Sequence, residues 1–229
     1  MDSIDTPNRR ILILRNGDAQ KIAAGEVIDR PFSVLRELLD NSIDAGATEI
    51  EARITSGGLQ EVRVTDNGYG MNEEDLSLCW LPHATSKIRT AEDIYKITTL
   101  GFRGEALSAI AAAGKLEITS NPGSDSESRR LTVQGGKLFS LAPHPSPQGT
   151  TVSCRDLFYN LPGRKKFLRS TGAETGLCLS SFIEKAAPFP DITFRLFTDD
   201  KMKYFFPSGT LKQRRSEERR VGKECRSRW

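Results

Sequence analysis

PFSVLRELLDNSIDAGATEIEARITSGGLQEVRVTDNGYGM, residues 31–71, carries two hydrophobic periods in succession. From Pro31 to Asp44, Val34, Leu35, Leu38 and Leu39 form one apolar stripe at helical spacing, with proline at a tolerated first-turn position. Glu37, Asn41 and Asp44 recur at i, i+4 and i+7 on another face. The period then becomes two. Ile50–Thr55 and Glu61–Thr65 alternate as strands, and Gly57-Gly58 between them predicts a hairpin. Asp66-Asn67-Gly68-Tyr69-Gly70 follows the second strand. A helix that feeds a hairpin departs from strict βαβ alternation and predicts an α+β, two-layer sandwich.

Outward from this stretch the pattern continues. Glu73–Trp80 reads as a helix, and Leu81–Leu100 as a polar, loop-rich stretch. Gly101-Phe102-Arg103-Gly104 opens a helix over Glu105–Ala113, closed by Gly114. Strands are predicted at Lys115–Ser120, Arg130–Gln134, Lys137–Leu141 and Thr150–Asp156, with turns at Ser124–Ser128 and Ala142–Gln148. A helix near Ala173–Ala187 precedes a last hairpin of Thr193–Phe197 with Lys203–Phe206.

Composition narrows the class. A chain of 229 residues with 37% hydrophobic content has length enough for a real core. The longest nearly pure apolar stretch, Ala106–Ala113, falls far short of the roughly 18 residues of a membrane span. The start, MDSIDTPNRR, has no apolar secretory core. Cys79, Cys154, Cys178 and Cys225 make no CxxC pair, which predicts reduced, buried thiols. The net charge of +3 resides wholly in the last 15 residues, RSEERRVGKECRSRW. The rest is neutral, so overall charge gives no argument for nucleic acid. From Arg215 onward the peptide resembles an in-frame translation of a sequencing adapter. The expected division is therefore a native domain over residues 1–214 and a foreign tail over 215–229.

The residues also point to chemistry. No GxxxxGK[ST] loop occurs, and Glu73 stands where a GxGxxG run beginning at Gly68 needs its third glycine. Any nucleotide bound here is held another way. Glu37 and Asn41 share a helix face; a carboxylate can take a proton from water, and an amide oxygen suits Mg²⁺. Asp66 past a strand end can accept a hydrogen bond from an exocyclic amine such as adenine N6. Gly101 and Gly104 at a helix start expose backbone N–H groups that suit phosphate. Thr85, Ser86 and Lys87 add donors and a positive charge. Arg164, Lys165, Lys166 and Arg169 could touch a nucleic-acid backbone. His83 and His144 lack ligand spacing, so no histidine metal site is expected. Each signal alone also fits a polar face, a turn or a helix cap.

Their order is more specific. KIAAGEVIDRP (21–31), ELLDNSIDAGA (37–47), DNGYGM (66–71), HATSKI (83–88), LGFRGEALSAI (100–110) and GTTVSCRDLFYNLPGRKKFLR (149–169) together resemble the N-terminal ATPase domain of the MutL family of DNA mismatch-repair proteins, within the GHKL ATPase superfamily. The resemblance spans about residues 8–214. It implies a mixed, largely antiparallel sheet with helices on one face, and ATP with Mg²⁺ as cofactors. Glu37 is then the general base and Asn41 the Mg²⁺ ligand. Asp66 reads adenine, with Gly68, Gly70 and Met71 beside it. Thr85, Ser86, Lys87, Gly101, Phe102, Arg103, Gly104, Glu105, Ala106 and Leu107 lie in or beside the phosphate-covering lid, and Gly149 and Thr150 support the adenine side.

The resemblance further implies lid closure and dimerisation, as a homodimer or with a paralogue. Implied partners are a MutS-type mismatch-recognition protein, a downstream nuclease or helicase, and weak, sequence-independent contact with DNA. The implied location is cytoplasmic in a bacterium and nuclear in a eukaryote, with no membrane. The alternatives are a module that binds ATP or DNA without turnover, or another GHKL ATPase such as a gyrase-type subunit. Pro82 stands where the family usually has Arg. The family's second domain, which supplies a lysine to the γ-phosphate, and its C-terminal dimerisation region are expected beyond this sequence.

Overall fold

The structure is a computed structural model that describes residues 25–88, 91–96, 99–101, 104–123, 127–214 and 216. Phe102, Arg103, the start of the Lys21–Pro31 string, part of the predicted Ser124–Ser128 turn and nearly all of the tail lie outside the described residues.

Helix α1 (Pro31–Asp44) buries Val34, Leu35, Leu38 and Leu39, the predicted stripe. Strands β1 (Glu49–Thr55) and β2 (Glu61–Asp66) form the predicted hairpin. A short helix α2 (Glu73–Leu78) starts at Asn72, whose side chain accepts from the Asp75 N–H. It is two residues shorter than predicted. Helix α3 (Ala106–Ala113) leads into β3 (Lys115–Asn121), β4 (Arg129–Gln134), β5 (Lys137–Pro143) and β6 (Gly149–Arg155). A turn of helix, α4 (Pro162–Lys165), was not anticipated; its four residues are too few to show a period. Helix α5 (Thr171–Ala186), capped by Ser170, precedes the hairpin of β7 (Thr193–Thr198) and β8 (Lys201–Phe206).

Among the described residues, eight strands join one sheet in the order β5-β4-β3-β6-β2-β1-β7-β8. Within it β1 and β7 pair in parallel, and the other neighbouring pairs are antiparallel. This is the predicted mixed, largely antiparallel α+β sandwich. Alternation places Ile50, Ala52, Ile54, Val62, Val64, Ile118, Val152, Phe194 and Leu196 in the core with the helices. Phe182 of α5 packs edge-on against Phe194 and stacks with Tyr204 and Phe206.

Two ion pairs tie the helix layer together. Lys185 Nζ lies 2.6 Å from Asp40, joining α5 to α1. The fully buried Glu174 accepts from Arg30 Nη1 at 2.6 Å and from the Arg169 N–H at 2.8 Å. Gly114 ends α3 as predicted, in extended backbone. What requires glycine there is space: a Cβ would meet Cys154 Sγ at 2.9 Å. Cys154 and Cys178 are buried as predicted; Cys79 is only half-buried and Cys225 lies outside the described residues. Burial pushes the Cys79, Cys154 and Cys178 thiols up to about 12.

Candidate functional site

Helix α1, the end of β2, α2, the start of α3 and residues 83–87 enclose a cleft of about 1280 Å³. Its floor follows from strand alternation. After Val62 and Val64, the next residue of the same parity is Asp66, so the sheet itself carries a carboxylate under α1. Ser42 stands seven residues after Leu35, on the sheet-facing stripe of α1, and donates from Oγ to Asp66 Oδ2 at 2.8 Å. The Gly68 and Thr150 N–H groups donate to Oδ1 at 2.9 and 3.3 Å. Burial raises the Asp66 carboxyl above its ordinary 3.8, and the hydrogen bonds from Gly68, Ser42 and Thr150 oppose that rise.

Two glycines make this floor possible. Gly149 has φ +119°, and a Cβ there would sit 2.0 Å from the Asp66 carbonyl oxygen. Gly70 has φ +66°, and a Cβ would sit 2.2 Å from the Asn121 oxygen. The Met71 N–H donates to Ser120 Oγ at 2.8 Å, and Ser120 Oγ lies 2.9 Å from Thr150 Oγ1, joining the DNGYGM turn to β3 and β6.

One wall carries the helical pair. Glu37 and Asn41 both line the cleft. Asn41 Oδ1 accepts from Lys87 Nζ at 3.2 Å, so this oxygen already faces a cation. A hard amide oxygen in that setting fits Mg²⁺. Lys87 Nζ also pairs with Asp44 Oδ2 at 2.5 Å. Opposite, the His83 N–H donates to the Gly104 oxygen at 3.1 Å, and Thr85 Oγ1 accepts from the Lys87 N–H at 3.2 Å. Glu105 caps α3 without a side-chain hydrogen bond, leaving its first turn uncapped at the cleft edge beside Ala106 and Leu107. Pro82 is exposed in the turn that leads to His83.

Of the predicted residues, Glu37, Asn41, Asp66, Gly70, Met71, Thr85, Ser86, Lys87, Gly101, Gly104, Glu105, Ala106, Leu107 and Thr150 all line this cleft. Gly68 and Gly149 act from behind Asp66, one as a donor and one by making room. Phe102 and Arg103 lie outside the described residues. The sequence reading missed Ser42, Tyr69, Leu78, Cys79 and Val152, which also line the cleft. Ser42 had a signal: a polar residue interrupting an apolar stripe. Arg164 borders a separate hollow of about 250 Å³ with Asp29, Arg30 and Phe167, while Lys165, Lys166 and Arg169 are exposed outside the cleft. Among the described residues no three His, Cys, Asp or Glu side chains gather into a metal site, and no helix is long and apolar enough to cross a membrane.

Residues 29–139 match the family model described as histidine kinase-, DNA gyrase B- and HSP90-like ATPase. The chain is 44% identical to the DNA mismatch repair protein MutL of Desulforamulus reducens over 203 residues, covering 88% of the chain and 32% of that protein. It is 48% identical to the corresponding Borreliella afzelii protein over 187 residues, covering 82% and 30%. It therefore spans about a third of the length of these relatives. Among solved structures, the Aquifex aeolicus MutL ATPase domain complexed with ADP superposes with a TM-score of 0.68 at 30% identity, over 85% of this chain and 70% of that one.

The floor of the cleft gives the first prediction. Gly149→Ala drives a Cβ into the Asp66 backbone and should destabilise the fold by about 2 kcal/mol or more. Gly163→Ala, where nothing lies within 4 Å, is the control and should be neutral or slightly stabilising. Urea unfolding followed by circular dichroism compares them; equal midpoints for the two variants would refute the close-approach account.

Proposed function

The chain belongs to the MutL family of DNA mismatch-repair proteins, and on that premise we propose that its cleft binds Mg·ATP and hydrolyses it to ADP and phosphate. The observation that supports this most directly is the buried Asp66 carboxylate. It has a hydroxyl and two backbone donors fixed behind it, and it lines the cleft as an acceptor for the adenine amino group. The Aquifex aeolicus relative was solved with ADP.

The proposed roles follow the wall of α1. Glu37 lines the cleft on the same helix face as Asn41 and takes the proton of the attacking water. Asn41 would hold Mg²⁺ through Oδ1, and the ion would supply positive charge to offset that of the phosphates. Lys87, Thr85, Ser86 and the first-turn amides of α3 supply donors for the phosphates. Gly101 and Gly104 continue the phosphate-covering side. The reaction itself asks chiefly for positioning and charge stabilisation.

The whole protein's work is also proposed. ATP binding couples lid closure and dimerisation to a MutS-type partner and to a downstream nuclease or helicase. The exposed Lys165, Lys166 and Arg169, with Arg164, contact DNA through its backbone without reading sequence. Residues 1–214 form the ATPase module, continued by a second domain that supplies a lysine to the γ-phosphate; residues 215–229 are foreign to it.

Glu37→Ala should leave nucleotide affinity within about twofold while phosphate release falls to background, because a general base acts in the transition state rather than in binding. The assay uses a protein extended through the region that follows in the relatives; undiminished turnover would remove Glu37 from the role. Acidification gives a separate check. The raised Asp66 carboxyl protonates before an exposed carboxylate does, and its protonated form loses acceptor capacity. Calorimetric affinity for ADP should therefore fall on lowering the pH while still above 3.8. Affinity constant down to that value would contradict it.

A further inference from the structure

The last residue of α1, Asp44, gathers more polar contacts than the end of a helix requires. Its side chain is 6% exposed. Oδ1 accepts from the Leu100 N–H at 2.9 Å, and Oδ2 accepts from the Gly101 N–H at 3.3 Å and from Lys87 Nζ at 2.5 Å. Lys87 and Leu100–Gly101 are far apart in sequence, yet one carboxylate closes them together. The same ammonium reaches Asn41 Oδ1 at 3.2 Å. The oxygen assigned to the metal is thus paired with the protein's own cation.

We propose that Asp44 is a positioning residue of the nucleotide site: it clasps Lys87 to Leu100 and Gly101 and parks the Lys87 ammonium on the Asn41 oxygen. The inference rests on the nucleotide reading above. A divalent ion arriving at Asn41 competes with that ammonium for one acceptor. Asp44 keeps the displaced ammonium paired and close to the phosphate side, so the charge is not stranded in a half-buried site. Helical spacing explains why one helix can do both jobs. Asn41 and Asp44 are three residues apart and project from one face, within the span of a single lysine.

The test uses the full chain. Asp44→Ala should raise amide exchange at Leu100 and Gly101 at least about tenfold, whereas Lys87→Met should leave both amides protected, since their acceptor remains. Lys87→Met loses a phosphate donor and should bind a fluorescent ADP analogue more weakly; with the analogue at a concentration that saturates each variant at high Mg²⁺, it should nevertheless lower, by about tenfold, the Mg²⁺ concentration that gives half of its own maximal signal, because the competing cation is gone. Asp44→Asn, which keeps the side-chain shape, should move that Mg²⁺ midpoint the same way. If the alanine variant unfolds, Asp44→Ser, whose hydroxyl is too short to reach both amides, replaces it in the exchange comparison. Unchanged exchange in Asp44→Ala overturns the clasp, and an unmoved midpoint in both Lys87→Met and Asp44→Asn overturns the parked cation. A wild-type chain that binds no nucleotide, with the exchange contrast intact, overturns the nucleotide reading and upholds the clasp.

Discussion

A carboxylate buried at the end of a central strand organises this molecule. Asp66 continues the core parity of β2 after Val64, where an apolar side chain would simply extend the core. Placing a charge there is costly unless its lone pairs are occupied. Ser42 supplies a hydroxyl from α1, Gly68 an amide from the following turn and Thr150 an amide from β6. Each of these donors has its own requirement. Ser42 must interrupt an apolar stripe, and Gly149 must be a glycine so that β6 can come within reach. The helix, the turn and two strands are thereby fixed around one acceptor that lines the cleft.

This dependence explains what the sequence could reveal. Val34, Leu35, Leu38 and Leu39 on α1 and the alternation of β1 and β2 carry their own periods, so helix, hairpin and sheet class are readable from local spacing. Asp66, Glu37 and Asn41 are readable as candidates because each sits in a short ordered pattern. Ser42 escaped notice because its partner lies 24 positions away, and only the sheet's parity reveals it. Asp44 was visible on the face of Glu37 and Asn41, but Leu100 and Gly101 are 56 and 57 positions distant. The four-residue α4 had no period to show, and nothing local to Gly114 reveals the Cys154 thiol that packs against it.

The cleft also separates its charges by function. The acceptor at the β2 end is sheltered in the core, whereas Glu37 and Asn41 lie along the open wall of α1. Lys87 joins that wall through Asp44, so positive charge resides beside the hard oxygen. The basic stretch Arg164–Arg169 lies elsewhere, tied to α5 where the Arg169 N–H meets Glu174. The cleft and the basic stretch thus lie on different surfaces of one sandwich.

Asp66 is proposed to accept from the adenine amino group, and isothermal titration calorimetry of the wild-type chain with ATP and with GTP decides whether it does. GTP turns a carbonyl toward the carboxylate in place of an amino donor, leaving two acceptors face to face. ATP should bind tighter by at least about tenfold. Equal affinities for the two nucleotides would remove Asp66 from that role.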